Sequence, residues 1–319
     1  MKRSLLVLAL AACACVRAHA DALPAASPVV RTETAPIASL PIEGAPIYGE
    51  RTPAAHRFVH DGVQLYYEVH GAGAPLLLVH GNGADIGSLR QQVEFFRAHY
   101  TVIAMDSRDH GRSADSTVPL TYGRMADDLA ALIDHLGLGP VSVVGWSDGG
   151  IEALLLGMRH PGKVTKLVAM AANLDPDGIV PELTSLLSSP GAPESSASAP
   201  AADAESPMQR RARKVAALML AEPNIDPAAL RTIASPTLVI AGDHDLVRDE
   251  HTLLIFHSIP NSQLAIIPGA THMVPFDDAP RFNAIVARFL GTDFVKPDRV
   301  KGTFESLERM RAEAQVQRH

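Results

Sequence analysis

The fold of this chain is decided by the stretch Val141-Ser142-Val143-Val144-Gly145-Trp146-Ser147-Asp148-Gly149-Gly150. Its first four residues are mostly β-branched and apolar, which predicts a buried strand. Residues 151–158 are largely apolar and predict a helix. Ser147 therefore stands in a Gly-x-Ser-x-Gly pattern between a strand and a helix, where the turn is so tight that the flanking positions tolerate almost no side chain.

Ser147 is the candidate nucleophile. A strand–turn–helix of this kind lifts the serine hydroxyl clear of the sheet. The helix that follows supplies backbone N–H groups and a positive dipole end at the place where an oxyanion would form. The same pentapeptide could also be a plain tight turn, but its position between a strand and a helix favours the catalytic interpretation.

Strands and helices alternate along most of the chain, after a hairpin predicted around Asp61-Gly62. Apolar runs predict further strands at 76–80, 102–106, 141–144, 167–171, 238–241 and 264–267. Helical periodicity predicts helices at 89–98, 122–136, 150–159, 249–259 and 280–290. This pattern is typical of the α/β class, with a mostly parallel central sheet that carries helices on both faces and functional residues at the carboxyl ends of its strands.

Composition divides the chain into segments. They are an export leader at 1–20, an Ala/Pro-rich spacer at 21–55, the folded domain at 56–292, an insertion within it at 173–234, and a charged tail at 293–319 with a short helix at 304–314. The insertion leaves the sheet at the carboxyl end of a strand, which favours a helical cap over the site rather than a surface excursion. Two short cap helices are expected, beginning at Ser206-Pro207 and at Asp226-Pro227.

The leader has two alternative processing sites. Ala18-His19-Ala20 fits ordinary signal-peptide cleavage, whereas Leu10-Ala11-Ala12-Cys13 resembles a lipoprotein box. In the second case Cys13 would carry lipid and anchor the protein to a membrane. Either alternative predicts an exported bacterial protein, which would be periplasmic, secreted or membrane-anchored.

Charge and cysteine content exclude several function classes. The net charge is −7 and gives no support to nucleic-acid binding. No apolar run approaches the roughly 20 residues that a membrane-spanning helix needs. Both cysteines, Cys13 and Cys15, lie in the leader, so the predicted domain has no disulfide, thiolate nucleophile or cysteine-based zinc site. The oligomeric state is left open.

A catalytic serine needs a base, which is normally a histidine oriented by a carboxylate. Two predicted strand ends supply candidates, Gly242-Asp243-His244-Asp245 and Gly269-Ala270-Thr271-His272. His272 is the preferred base because it combines a strand end, a nearby glycine turn and a position after the acid. One donor of an oxyanion hole should be the backbone N–H of Asp148, directly after the nucleophile.

Several motifs in this order resemble the α/β-hydrolases, specifically the lid-bearing esterase, lactonase and perhydrolase group, over about residues 56–291. The motifs are His80-Gly81-Asn82-Gly83, Asp106-Ser107-Arg108-Asp109-His110-Gly111-Arg112-Ser113, the glycine–serine turn, and the two strand ends that carry the acid and the base. The tetrad Trp146-Ser147-Asp148-Gly149 is also similar to the corresponding turn of the biphenyl-hydrolase-like (valacyclovir hydrolase) proteins.

The resemblance implies a role for each matched position. The acid falls on Asp245; Asp243 is the rival, although it could instead bind loop N–H groups. His272 is the general base, and Asn82 supplies the second backbone donor of the oxyanion hole. No metal and no organic cofactor are implied, and the expected partner is a small-molecule ester.

Two acids and a tryptophan beside the nucleophile have alternative interpretations. The carboxylate of Asp148 either stabilises a helix N-terminus or pairs with an ammonium group of the substrate. Glu152 lies four residues further on and is expected to be exposed, whereas a buried Asp148–Glu152 pair would indicate a cationic substrate. Trp146 is expected to pack beneath the turn rather than stack on a ligand; it and Asp148 are the candidate substrate-binding residues.

The sequence thus predicts an exported serine hydrolase that cleaves small to medium carboxylic esters through an acyl-enzyme. The alternatives are a cofactor-free haloperoxidase, perhydrolase or lactonase that uses the same triad, and a non-catalytic binding protein on a hydrolase scaffold.

Overall fold

The computed structural model describes Tyr48 and residues 54–187 and 206–316. The predicted leader, nearly all of the predicted spacer, Cys13 and the middle of the insertion lie outside the described residues. No helix in the described ranges is long and apolar enough to cross a membrane.

The centre of the fold is an eight-stranded sheet. In chain order its strands are β1 (Ala55–His60), β2 (Val63–His70), β3 (Ala74–Val79), β4 (Tyr100–Asp106), β5 (Val141–Trp146), β6 (Val164–Met170), β7 (Thr237–His244) and β8 (Ser262–Thr271). Their spatial order is β1-β2-β4-β3-β5-β6-β7-β8. Strand β2 pairs antiparallel with β1 and β4, and the remaining pairs are parallel. The predicted α/β class is therefore confirmed.

The α-helices of the described ranges connect and cover these strands. They are α1 (Arg90–Phe96), α2 (Tyr122–His135), α3 (Asp148–Arg159), α4 (Pro181–Leu187), α5 (Pro207–Ala221), α6 (Asp249–Ser258), α7 (Val274–Asp277), α8 (Ala279–Gly291) and α9 (Arg299–Val316). Short 3-10 turns occur at Ile86–Leu89, Pro161–Lys163, Pro176–Gly178 and Pro227–Thr232.

The sheet is buried on both faces because successive strand side chains point to opposite sides. Leu77 and Val79 of β3 belong to one apolar core, which they share with residues of α2 and α3. Leu76 and Leu78 belong to the second core, together with residues of α1 and α8. Each core removes a continuous apolar surface from water, which is the main contribution to the stability of such a layered fold.

The insertion differs in part from its predicted form. The first helix begins where expected, because the Ser206 hydroxyl and the Gln209 side chain form a capping box, but at 15 residues it is not short. The second expected helix is instead the 3-10 turn Pro227–Thr232. Leu230 and Ile233 are fully buried, and β7 begins at Thr237, so the connection between this turn and the sheet is short.

The C-terminal helix is longer than the predicted 304–314, since α9 spans Arg299–Val316. Nearly all of its side chains are exposed.

The turn between β5 and α3 is packed too tightly for side chains at its glycines. A methyl group on Gly145 would lie 2.0 Å from the carbonyl oxygen of Gly149, and one on Gly149 would lie 2.3 Å from the carbonyl oxygen of Val79. Both clashes are with backbone, which cannot move aside without disturbing the sheet. The close approach of β3, β5 and α3 thus requires glycine at these two positions.

Gly149→Ala should destabilise the protein by at least about 2 kcal/mol, because the added methyl group overlaps the backbone of β3. Gly139→Ala is the matched control, since nothing lies within 4 Å of its added methyl group. Urea unfolding followed by circular dichroism measures both changes. Equal midpoints and slopes for Gly149→Ala and wild type would contradict this close packing of β3, β5 and α3.

Candidate active site

Ser147 lies between the end of β5 and the start of α3 with φ +58° and ψ −121°. A positive φ is unfavourable for a residue with a side chain and persists only where the surroundings enforce it. Here the Ser147 N–H donates to the Met170 carbonyl oxygen at 2.8 Å, and the N–H groups of Gly150 and Ile151 donate to the Ser147 carbonyl oxygen at 2.8 and 3.2 Å. These bonds hold the strained backbone, so the hydroxyl projects from the tip of the turn.

The structure brings Ser147, His272 and Asp245 together. Nε2 of His272 lies 2.9 Å from the Ser147 hydroxyl oxygen. Nδ1 of the same ring lies 2.7 Å from Oδ1 of Asp245. His272 directly follows β8 and Asp245 directly follows β7, so two adjacent strand ends deliver the acid and the base to one place.

Asp245 and its rival Asp243 have different partners. The Asp245 side chain is fully buried and also accepts hydrogen bonds from the N–H groups of Gly242 and Val247, at 3.2 and 3.1 Å. Asp243 instead accepts from the Ala270 N–H at 3.2 Å and contacts His244 at 2.9 Å. Asp245 thus contacts His272, whereas Asp243 braces the neighbouring loop.

The two candidate oxyanion donors, the backbone N–H groups of Asp148 and Asn82, both lie beside the turn that carries Ser147. Asp148 is the first residue of α3, and Asn82 lies in the loop after β3, whose Gly81 approaches the nucleophile closely. Within the part of the chain that the structure describes, neither backbone N–H donates a hydrogen bond to the protein. Their side chains are joined, because the Asn82 amide Nδ2 donates to Oδ2 of Asp148 at 2.8 Å.

Asp148 and Glu152 are both buried, with 5% and 0% of their surface exposed. The expectation that Glu152 is exposed is wrong. Its face of α3 is covered by the loop after β4, where the Ser107 hydroxyl donates to Glu152 at 3.2 Å. The two acids therefore form the buried pair that the sequence left as the alternative.

Burial changes the acidity of both groups, since desolvation disfavours a charged carboxylate. Burial raises the pKa of Asp148 to about 6, although hydrogen bonds from Tyr122 and Asn82 lower this pKa in part. Burial also raises the pKa of Glu152 well above its ordinary value, and the charge of nearby Asp148 raises it further.

A cavity of about 460 Å³ opens above Ser147. It is lined by Gly81, Asn82, Ala84, Ser88, Tyr122, Trp146, Ser147, Asp148, Asn173, Ile179, Leu183, Met219, Glu222, Leu246, Val247, His272 and Met273. Five of these residues lie between positions 173 and 222, so the insertion forms part of the wall of the cavity. Helix α5 is anchored to the loop after β4, where Arg211 donates to the carbonyl oxygens of Gly111 and Ser113 at 2.8 Å each.

Trp146 borders the same cavity. Its indole N–H donates to the His272 carbonyl oxygen at 3.0 Å, and the two rings are 6.0 Å apart. This contact places Trp146 beside the base and restrains the loop that carries it.

Two polar lining residues that bear on the chemistry, Tyr122 and Glu222, were not among the site residues predicted from the sequence. Tyr122 was assigned only to the start of a helix, yet its hydroxyl forms a hydrogen bond with Asp148. Glu222 directly follows helix α5 and accepts a hydrogen bond from the Tyr122 N–H at 3.0 Å. No local motif marks either residue, because only the folded chain brings them to the nucleophile.

Another cleft, of about 800 Å³ beside α2, is lined by side chains whose opposite charges are paired. Arg159 and Asp127 form one such pair at 2.7 Å, and Lys163 and Asp134 form another. In the described ranges, no group of three or more His, Cys, Asp or Glu residues is placed to hold a metal ion.

Glu152→Gln should gain stability relative to wild type as the pH rises through and above the ordinary glutamate pKa of 4.5. In the folded protein the pKa of Glu152 lies well above the ordinary value of 4.5. The unfolded wild-type chain therefore loses this proton at a lower pH than the folded chain does, so a rising pH stabilises the unfolded chain relative to the folded one. Glutamine keeps the shape and cannot titrate. Urea unfolding across this pH range, with Glu250→Gln at a side chain that is 73% exposed as the control, measures the difference. A pH-independent difference for Glu152→Gln would contradict the burial argument.

The model of the alpha/beta hydrolase family matches residues 76–285. A protein of Caulobacter sp. (strain K31) that bears the name "Putative carbamate hydrolase RutD" is 32% identical over 259 residues. The match covers 71% of this chain and 95% of that protein. The serine hydrolase BPHL of Homo sapiens is 30% identical over 263 residues, which cover 72% of this chain and 84% of that protein. Matches to several other relatives span less than half of those proteins.

Solved structures agree with this assignment. Est816, described as an N-acyl homoserine lactone degrading enzyme, superposes with a TM-score of 0.63 at 26% identity, over 73% of this chain and all of that one. The sheet order, the glycine–serine turn and these similarities lead to one conclusion. The chain belongs to the alpha/beta hydrolase family and is a hydrolase.

Proposed function

We propose that the protein is a serine hydrolase that cleaves carboxylic esters through an acyl-enzyme. The observation that carries this proposal is the hydrogen-bonded series from Ser147 through His272 to Asp245, with distances of 2.9 and 2.7 Å, at the floor of a cavity. A neutral imidazole that donates from Nδ1 to Asp245 has a free lone pair on Nε2, and that atom faces the Ser147 hydroxyl.

Each group has a defined task in this mechanism. The Ser147 oxygen attacks the ester carbonyl carbon while Nε2 of His272 takes the hydroxyl proton, and Asp245 stabilises the resulting imidazolium. The N–H groups of Asn82 and Asp148 bind the oxygen that becomes negative. His272 then protonates the leaving oxygen as the ester C–O bond breaks. Water, deprotonated by His272, attacks the acyl-enzyme and releases the acid.

We further propose that the preferred ester carries an ammonium group close to its carbonyl. Asp148 and Glu222 line the cavity, and Glu152 is buried behind Asp148, whereas His272 alone among the described lining residues has a basic side chain. An ionised Asp148 beside the oxyanion hole opposes the negative charge that develops there. Two unit charges about 4 Å apart interact by about 4 kcal/mol at an effective dielectric constant of about 20, so a substrate cation would offset a substantial penalty.

The leader-like residues 1–20 support the further proposal that hydrolysis takes place outside the cytoplasm. The chain would be released after Ala20 or anchored through a lipidated Cys13. Mass spectrometry of the mature N-terminus distinguishes the two, and an unprocessed Met1 would contradict both.

Ser147→Ala should lower kcat/KM for p-nitrophenyl butyrate by about 10⁶-fold, because the nucleophile of the acyl-enzyme is gone. A fluorophosphonate probe should label wild type but not the variant. Circular dichroism checks that the fold is kept, and Asn261→Ala, at a surface amide, is the control substitution. Full esterase activity without labelling in Ser147→Ala would contradict the mechanism.

Faster peracid formation from acetate and hydrogen peroxide than ester hydrolysis by wild type would assign the triad to perhydrolysis instead.

Wild type should prefer the benzyl ester of alanine to the isosteric, uncharged benzyl isobutyrate at neutral pH, after correction for their rates with hydroxide. Asp148→Asn and Glu222→Gln should each lower this ratio of kcat/KM values by about tenfold, the equivalent of about 1.4 kcal/mol. Glu250→Gln removes an exposed charge and serves as the control. A ratio near one in wild type would show that the buried acids do not select a cation.

A further inference from the structure

The loop that carries the proposed donor Asn82 has little intrinsic rigidity. Asn82 stands between Gly81 and Gly83, and Gly83 adopts φ +64° with nothing within 4 Å of its missing side chain. Glycine is the residue with the greatest backbone freedom, so a donor flanked by two glycines needs an external restraint. The Gly81 carbonyl oxygen contacts Nδ1 of His80 at 2.8 Å and accepts from the Ala84 N–H at 3.3 Å, and neither contact involves the Asn82 backbone.

The restraint comes from the other half of the same site. The Asn82 amide donates to the Asp148 carboxylate at 2.8 Å, so the two residues whose N–H groups face the oxyanion are also joined through their side chains. A hydrogen bond to an ionised acceptor is stronger than one between neutral groups. The bond is partly buried, because Asp148 is buried although Asn82 is only half-buried.

Asp148 is held by packing and hydrogen bonds, which makes it a suitable anchor. It occupies the first turn of α3, the helix packed between β3, β5 and β6, and only 5% of its surface is exposed. A second hydrogen bond, from the hydroxyl of the buried Tyr122, holds the same carboxylate. Helix α3 therefore holds Asp148, and Asp148 in turn holds the loop after β3 through Asn82.

We infer that the side chains of Asn82 and Asp148 are positioning groups for the oxyanion hole, because their mutual hydrogen bond sets the separation of the two backbone donors. This inference rests on the proposed serine-hydrolase function. It assigns the Asp148 carboxylate a task that does not depend on the charge of the substrate. Loss of the bond leaves both N–H groups in the chain but releases one of them from its place.

Asn82→Ala tests the inference, since it removes the amide and keeps the backbone donor. With uncharged p-nitrophenyl butyrate, kcat should fall by about 10- to 100-fold with KM within about twofold, because misplacement by about 1 Å can cost about 100-fold. Binding of a trifluoromethyl ketone tests the oxyanion hole directly. The Ser147 oxygen adds to the ketone carbonyl carbon, the hydroxyl proton passes to His272, and the ketone oxygen becomes an oxyanion. Its affinity should fall by the same factor as kcat/KM.

Two further variants separate positioning from other roles. Asp148→Asn keeps an amide oxygen that can accept from Asn82, so its loss of kcat on the uncharged ester should be smaller than that of Asp148→Ala, which should resemble Asn82→Ala. The double variant Asn82→Ala/Asp148→Ala should be no slower than the slower single variant, as both remove one bond. Asn261→Ala is the control for loss of an asparagine amide, and thermal melting checks that each variant is folded.

Unchanged kcat and unchanged ketone affinity in a folded Asn82→Ala would overturn the inference, as would a change in KM alone or fully additive losses in the double variant. Failure of the proposed function gives a different result. Wild type would then not react with the fluorophosphonate or the ketone, and Ser147→Ala would retain turnover.

Discussion

The backbone contact inside the glycine–serine turn is the constraint on which the site depends. Because no side chain fits between Gly145 and Gly149, strand β5 can turn into helix α3 at once and leave Ser147 at the tip with φ +58°. Backbone hydrogen bonds to β6 and within α3 compensate for this strain. The position of the Ser147 hydroxyl at the tip of the turn and that of the Asp148 N–H beside it are therefore consequences of close packing in the middle of the sheet.

Buried acidity is the second property of this site. Asp148 and Glu152 lie on the central helix, where desolvation raises the pKa of each carboxyl, and the neighbouring Asn82, Tyr122 and Ser107 are neutral donors. Burying a carboxylate with only neutral partners lowers the stability of the folded protein, and carboxylates with pKa values shifted in this way are concentrated at functional sites. In the proposed function the Asp148 carboxylate serves as an acceptor for Asn82 and as a partner for a substrate cation. Hydrogen bonding and charge can therefore be separated by substituting asparagine for aspartate.

The features that sequence could predict are those with a local signature. Strand–helix alternation predicted the α/β class, and the candidates Ser147, Asp245 and His272 each follow an apolar strand whose end is visible in the sequence. Glu152 was misjudged because a charged residue on a helix normally faces water, whereas here the loop after β4 covers that side. The turn at Pro227–Thr232 could not be assigned its form, because the distance to β7 is a property of the folded chain.

By itself the sequence determined the order of strands and helices, the tight turn and the residues able to act as nucleophile, base and acid, because each depends on neighbours a few positions away. Only the tertiary structure decided that Asp245 rather than Asp243 meets His272, that Glu152 is buried and that Tyr122 and Glu222 enter the cavity. These outcomes depend on side chains distant in the chain meeting at adjacent strand ends. The burial of Glu152 and the contacts of these side chains arise from that packing, and neither leaves a periodic pattern along the chain.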